Sequence, residues 1–578
     1  MNSLLLMVIT FLGYIVAYQF YGKFIGHKIF QLTNKNKMPA HEFEDGVDFV
    51  PTKKHIVLGH HFTTIAGTGP IVGPAIGIIW GWGPALLWIF FGSIFMGAVH
   101  DFSALIISAR NQGRTLGDLT GNLISPSTKY AFQFIIQFLL WIVLAIFAMI
   151  MGILFVKYPQ SVFPVWMEIP IAMWLGYEIK KGKSDTLYSI IAVVLMYVTI
   201  FLGLYIPISL PGSANAQIIT WAVILFGYVF IASTLPVQTL LQPRDYINSH
   251  ELLIAMGLLV LGVVFAHPQM TAPVVNEAAK AAGTDIPNLM PILFITIACG
   301  AISGFHSLAA SGTTVKQVDK EKDTLAIGYG GMILEGVLAT IVLIAIGGGL
   351  GMGLASKDGT LLTGSAAYAS HYASWAGAAG LGAKLEAVIV GAANLMTSIG
   401  IPKDLGMSIM AVFVVSFAGT TLDSATRIQR FSFQEIMKKK DGKVMKPFDN
   451  RFISTGIVVI LAAILTFLQP GGKGALILWP MFGALNQLLA ALALLIATVY
   501  LSSKGKNILV TFIPMVFMLI MTIWAMFINL NKFIGMKNGL LITLSVIIML
   551  LTAWLLIGAF MALAKNLKNR EVVIEEEE

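Results

Sequence analysis

The chain predicts an all-α, polytopic integral membrane fold of about fifteen transmembrane helices, and three observations carry that prediction. Of its 578 residues, 57% are apolar and only 11% charged, with a mean hydropathy of +0.82. Apolar runs near the ~20 residues that cross ~30 Å of hydrocarbon recur from end to end. Two of those runs carry glycine and proline where a helix should be continuous. Freed backbone groups at membrane depth cost several kcal/mol unless they are buried in protein or line a wet cavity, so such breaks mark a site in an inverted-repeat transporter core.

In chain order the spans fall at 2–22, 60–80, 84–109, 129–155, 162–178, 186–206, 217–236, 251–267, 289–310, 324–351, 404–424, 453–468, 475–500, 508–529 and 540–563. The first begins at once, with no basic leader and no small-residue cleavage site, and reads as a retained span. With the N-terminus outside, the loops holding Lys23, Lys28, Lys35, Lys37, Lys53 and Lys54, then Arg110, Arg114 and Lys129, then Lys180, Lys181 and Lys183 all become cytoplasmic. Arg244, the trio Lys316, Lys320 and Lys322, and the terminal Lys565, Lys568 and Arg570 fall inside too, with Glu575 to Glu578 as a solvated acidic tail. Lys532 and Lys537 dissent.

Residues 384–400 are apolar, but counting them as a crossing would push the most basic loop outside. That loop holds Arg427, Arg430, Lys438, Lys439, Lys440, Lys443, Lys446 and Arg451. Reading 384–400 as a re-entrant or interfacial piece keeps it inside. The charge-poor stretch 352–383 then becomes an outer loop folded over the transporter mouth. The chain is thus expected to be a multi-pass plasma-membrane protein with a cytoplasmic C-terminus.

The net charge of +8 is explained by these orienting loops, so the expected partners are the lipid bilayer and a small-molecule substrate, not nucleic acid. Cys299 is the only cysteine, which excludes an intrachain disulfide and a cysteine-based zinc cage. No loop is long enough for a soluble catalytic domain, so transport is read in preference to an enzyme.

In the second span, Ala66-Gly67-Thr68-Gly69-Pro70 predicts one half-helix ending near Gly67 and another starting at Pro70, a residue suited to a first turn. The new N-terminus carries a partial positive charge that can hold a carboxylate. The ninth span breaks at Cys299-Gly300-Ala301-Ile302-Ser303-Gly304, with Ser303 placed to cap the restarted helix. The two spans run in opposite directions, as an inverted repeat requires. Candidate substrate contacts are Thr63, Thr64, Gly67, Thr68, Gly69 and Gly73 in the first, and Gly300, Ser303, Gly304 and Ser307 in the second. The alternative is that the glycines serve only close helix packing.

Ionisable groups inside the membrane cost roughly 2.5 to 3.5 kcal/mol on insertion scales and survive by pairing, by holding a proton or by facing water. Glu335, mid-span, is the first candidate for carrying a coupling proton, with Asp101, His61 and His306 as relay partners; hydrogen bonding to a neighbouring helix is the plainer role for each. The proton is the coupling ion and no cofactor is expected. His60, His61, His100 and His306 share a depth, which admits a metal site as the weaker idea, since adjacent histidines point about 100° apart on a helix. Asp423 and Arg427, four apart, are read as a gate or structural pair on one helical face.

At these residues the chain resembles the carbon-starvation (CstA) family of bacterial inner-membrane transporters. The resemblance is carried by Gly59-His60-His61-Phe62 through Gly73-Pro74, by His100-Asp101-Phe102, by Gln242-Pro243-Arg244-Asp245-Tyr246, by Ile295 through His306 and on to Ser311-Gly312-Thr313-Thr314, and by Thr420-Thr421-Leu422-Asp423 with Arg427. It implies nutrient uptake under carbon starvation, of pyruvate or of peptides, with proton coupling, and kinship with the amino acid-polyamine-organocation superfamily. It divides the chain into a transporter core, residues 1–375, and a helical module, 376–578, that completes the bundle. The rival readings are a metal-binding membrane enzyme built on the histidines and a nutrient sensor with a transporter fold that signals through the basic loop 427–451.

Overall fold

The structure, a computed structural model, describes residues 1–281, 283–356, 359–378, 380–439, 442–469 and 473–577. Lys440 of the basic loop and Glu578 of the acidic tail lie outside the described residues, as do the side chains of Arg570 and of residues 575–577. The long helices are α1 (Ser3–Ile29), α2 (Lys54–Ile65), α3 (Gly69–Trp80), α4 (Trp82–Ala109), α5 (Pro126–Lys157), α6 (Val162–Lys180), α7 (Asp185–Gly203), α8 (Ala214–Thr234) and α9 (Leu241–Ala266). They continue with α10 (Leu289–Thr296), α11 (Gly304–Gly312), α12 (Leu325–Met352), α13 (Leu381–Thr397), α14 (Lys403–Ile436), α15 (Arg451–Phe467), α16 (Lys473–Ser503), α17 (Leu509–Gly535) and α18 (Gly539–Glu577).

Each of the fifteen segments read from hydropathy is helical, but fewer qualify as spans. Among the described residues eleven helices are long and apolar enough to cross a membrane, or twelve if the bent pair α2 and α3 is one span. Three segments account for the difference. Glu168, Glu178 and Lys180 lower the hydropathy of α6, α15 is short at 17 residues, and the segment at 289–310 splits into α10 and α11 with seven non-helical residues between them. The segment at 384–400 falls on one unbroken 17-residue helix, α13, which ends at Thr397 and is packed on α14, α9 and the glycine-rich end of α12. No turn of a re-entrant loop interrupts it.

Packing repeats at the level of whole spans. The first broken span lies against α9 and α12, the second against α16 and α4; α8 packs on α5 as α15 packs on α14. The longest contact in the bundle joins the counterparts α5 and α14, which with α12 and α16 form its buried centre. Six helical passes, α4 to α9, separate the two broken spans, and an even number between them makes the two run in opposite directions. Lipid-facing residues such as Leu5, Ile9 and Leu12 of α1 and Leu550, Trp554 and Ile557 of α18 stay exposed on the rim, as apolar faces of a membrane protein should. The loop at 352–383 does fold over one end of the bundle: Tyr368 donates its hydroxyl to Ile78 O at 2.9 Å and Tyr372 donates to Ala75 O at 2.7 Å, both at the far end of α3.

Candidate substrate cavity and buried carboxylate-imidazole chain

Both sequence-predicted breaks are present. Between α2 and α3 the axis bends by 43° at residues 66–68, with Pro70 in the first turn of the new helix. Between α10 and α11 the chain leaves helical geometry at Ile297 and resumes at Gly304, with Gly300 at φ +92°, a backbone region that a side chain rarely adopts. The breaks touch. A Cβ on Gly73 would lie 3.2 Å from Cys299 O, Ile297 Cα and Thr296 O, and one on Gly300 would lie 3.4 Å from Pro70 Cα. Glycine is needed at these positions because backbone meets backbone there.

Beside the junction lies a cavity of about 240 Å³. Thr68, Gly69 and Gly73 wall it from the first break, Ala298 and Cys299 from the second, and Asn486 of α16 from the side. The other candidate contacts are placed elsewhere. Thr63 donates to Gly59 O at 2.9 Å, Thr64 lies 3.4 Å from Ser424 Oγ, and Gly67 is packed on Thr421. Ser307 turns back to Gly304 O at 2.7 Å, and Gly304 is pressed against Asn486 O. Gly300 faces Glu335, away from the cavity.

Ser303 is the N-cap residue of α11, but its hydroxyl does not cap the helix. Asn486 takes that role from another helix: its Oδ1 accepts Phe305 N–H at 2.9 Å and Ser303 Oγ–H at 3.1 Å, while Nδ2 lies 3.3 Å from Cys299 Sγ. A polar residue inside the apolar run at 475–500 was the signal for it.

The acids and histidines form a chain at the back of the second break. Glu335 Oε1 accepts Gly300 N–H at 3.1 Å, and its Oε2 lies 3.3 Å from His306 Nε2. His306 Nδ1 lies 3.0 Å from Asp101 Oδ2, and His100 Nδ1 lies 2.6 Å from Asp101 Oδ1. All four side chains are buried. His61 stands beside them but bonds Thr314 Oγ1 at 2.9 Å, and His60 pairs with Asp245 on α9. The adjacent histidines thus point to different helices, and among the described residues no group of three or more His, Cys, Asp or Glu side chains has a geometry that could hold a metal ion.

Asp423 and Arg427 do not pair. Asp423 accepts from Arg244 Nη1 and, at 2.9 Å, from the Tyr228 hydroxyl, whereas Arg427 Nη1 reaches Asp48 at 2.6 Å and Nη2 reaches Leu235 O. Four-residue spacing puts both on one face of α14, but each is drawn to a partner from a different neighbouring segment. Arg244 also donates Nε to Glu168 Oε1 at 2.9 Å, whose Oε2 accepts Ser416 Oγ–H at 2.9 Å. Glu168, an acid within an apolar run, was legible as a site residue by the same rule that singled out Glu335.

Residues 2–525 match the family described as Carbon starvation protein CstA. The chain belongs to the CstA family. It is 34% identical to the peptide transporter CstA of Campylobacter jejuni, over 93% of this chain and 81% of that one. It is 32% identical to the pyruvate/proton symporter BtsT of Escherichia coli, over 91% of this chain and 81% of that one. The solved structure of MhsT in complex with L-phenylalanine aligns at 13% identity and a TM-score of 0.49, covering 82% of this chain and 98% of that one. The chain is a multi-pass membrane protein whose relatives carry transporter names.

Proposed function

We propose that this CstA-family chain imports a small carboxylate-bearing nutrient, pyruvate or a peptide, in symport with a proton, with its N-terminus outside and its C-terminus in the cytoplasm. One observation carries the reading: the carboxyl group of Glu335 accepts the Gly300 N–H of the unwound backbone whose preceding residues Ala298 and Cys299 wall the cavity, and it stands next to His306. A proton gained or lost at Glu335 changes the charge facing that backbone. Substrate occupancy and protonation are then linked through one non-helical segment, and binding of both favours the same state of the carrier. Alternating access follows from rocking one repeat against the other about the junction of Gly69 and Gly73 with Cys299.

Purified protein in liposomes, given labelled pyruvate or dipeptide under an inward proton gradient, should accumulate the label and lose it on addition of a protonophore. Glu335→Gln should remain folded and fail to concentrate substrate. A mutant that concentrates substrate normally would remove Glu335 from the coupling, and a wild-type protein that binds pyruvate without moving it would turn the reading to a sensor.

A further inference from the structure

Lys384 stands in the first turn of α13, in the segment that the sequence reads as re-entrant or interfacial, and its side chain is only 2% exposed and lines the cavity beside the breaks. A buried ammonium is costly unless it is compensated. Its ammonium lies over the face of Trp479, 4.6 Å from the ring centroid, which compensates it in part. No carboxylate of the described residues pairs with it.

The nearby acids are all engaged. Glu386, half a turn further along α13, pairs with Lys157 at 2.9 Å. Asp285 accepts the N–H groups of Trp375 and Ala376 at 2.8 and 2.9 Å. Glu335 sits behind Gly300. Among the described residues the cavity lining contains two lysines and no aspartate or glutamate. The second lysine, Lys532, is exposed at the lining and is one of the two that break the loop-charge pattern.

We infer that Lys384 is the counter-charge of the substrate site, receiving the carboxylate of a small monoanion, while Lys532 draws anions toward the cavity. The inference rests on the proposed transport reading for the word substrate, but the geometry that supports it is that of a binding site. An ammonium has three donors, and the ring face of Trp479 leaves donors for a ligand oxygen. A charge-assisted bond to an ammonium as buried as that of Lys384 is stronger than the same contact in solvent. A peptide would bring its own ammonium into a lining with no acid to receive it, so a monocarboxylate fits this charge pattern better than a zwitterion.

The test is equilibrium binding to purified wild-type protein, read by the fluorescence of the tryptophans that line the cavity, with pyruvate, its uncharged amide and a dipeptide as probes. Pyruvate should bind, and the amide and the dipeptide should bind at least about tenfold more weakly. Lys384→Met keeps the apolar stem against Trp479 and removes the charge; it should lose pyruvate binding by at least about tenfold and no longer distinguish pyruvate from its amide. Lys532→Gln should slow association more than it changes the dissociation rate.

An unchanged pyruvate affinity in a monodisperse Lys384→Met protein would overturn the assignment, as would a dipeptide or amide that binds wild type as well as pyruvate does. If Lys384→Met does not purify, Lys384→Gln and protection of wild-type Lys384 from an amine-reactive probe by pyruvate decide the same question. Failure of wild type to accumulate either pyruvate or dipeptide in liposomes, with charge-dependent binding intact, would reject the transport reading and leave the Lys384 site standing.

Discussion

The Cβ of Cys299 fills the space in which a side chain on Gly69 would begin, so that a Cβ built on Gly69 would lie 2.1 Å from it and 2.5 Å from Sγ. The contact joins the two broken spans at the wall of the cavity. Gly69→Ala must push the second break away or fail to fold, and overpacking of this kind costs typically 1–3 kcal/mol. Uptake by Gly69→Ala should fall to background with a lowered melting temperature. Because the clash is with the Cβ itself, Cys299→Gly should relieve it where Cys299→Ser should not, and a double-mutant cycle of melting temperatures measures that coupling.

Arg244 is held between Glu168 and Asp423, all three buried, with Tyr228 closing the group. Arg244→Met leaves two carboxylates without a cation and should destabilise the protein by about 3–5 kcal/mol. The triple variant Arg244→Met with Glu168→Gln and Asp423→Asn removes the stranded charges and should recover most of the melting temperature. Arg427→Met should cost less, because its partner Asp48 is partly exposed and keeps Arg430 at 3.6 Å.

What the sequence made legible was local. A glycine-proline break in an apolar run announces unwound backbone because nothing else explains it, and Glu335, His306 and Asp101 stood out as charges where charge is costly. What stayed hidden was the partner of each charge. Spacing along α14 places Asp423 and Arg427 on one face but does not say that Arg244, 179 positions away, reaches Asp423 first. Asn486 caps α11 from 181 positions away. Lys384 was missed because loop-charge parity made its segment a re-entrant or interfacial piece, and only packing shows that α13 is buried against α14 and α3.

Outside the spans, Lys316 and Asp48 make stability depend on pH with a definite sign. Burial pushes the Lys316 ammonium down to about 8 against the opposing pull of Asp48, and it rests on the ring of Phe431 at 3.4 Å. Burial alone would raise the Asp48 carboxyl, but Arg427 first, then Lys316 and Arg430, outweigh it and hold it below its ordinary value. Between pH 8 and the ordinary lysine value near ~10.4, the unfolded chain keeps a proton that folded Lys316 has released, so this group makes stability rise with pH across that window. The Asp48 contribution is present above ~3.9 and is lost as pH falls through its lower folded value. Melting temperatures from pH 7 to 10 should show the rise in wild type and lose it in Lys316→Met.

His306 bridges two acids, with Nδ1 on Asp101 and Nε2 toward Glu335, while His61 bonds only the hydroxyl of Thr314 among the described residues. An imidazole in that position can accept a proton at one nitrogen and release it from the other, which no neutral amide can do. His306→Gln should therefore exchange labelled for unlabelled substrate across the liposome membrane with no gradient present, yet fail to concentrate it when an inward proton gradient is imposed. Asp101→Asn should show the same split, because it removes the acid that fixes the His306 ring, and His100 would lose its own partner with it. His61→Gln should keep gradient-driven accumulation within about tenfold of wild type, since a lost bond to a neutral hydroxyl is worth only about 0.5–1.5 kcal/mol. Counterflow and gradient-driven uptake measured on the same vesicles separate the cases: a His306→Gln protein that still concentrates substrate would show that the coupling proton does not pass between Asp101 and Glu335.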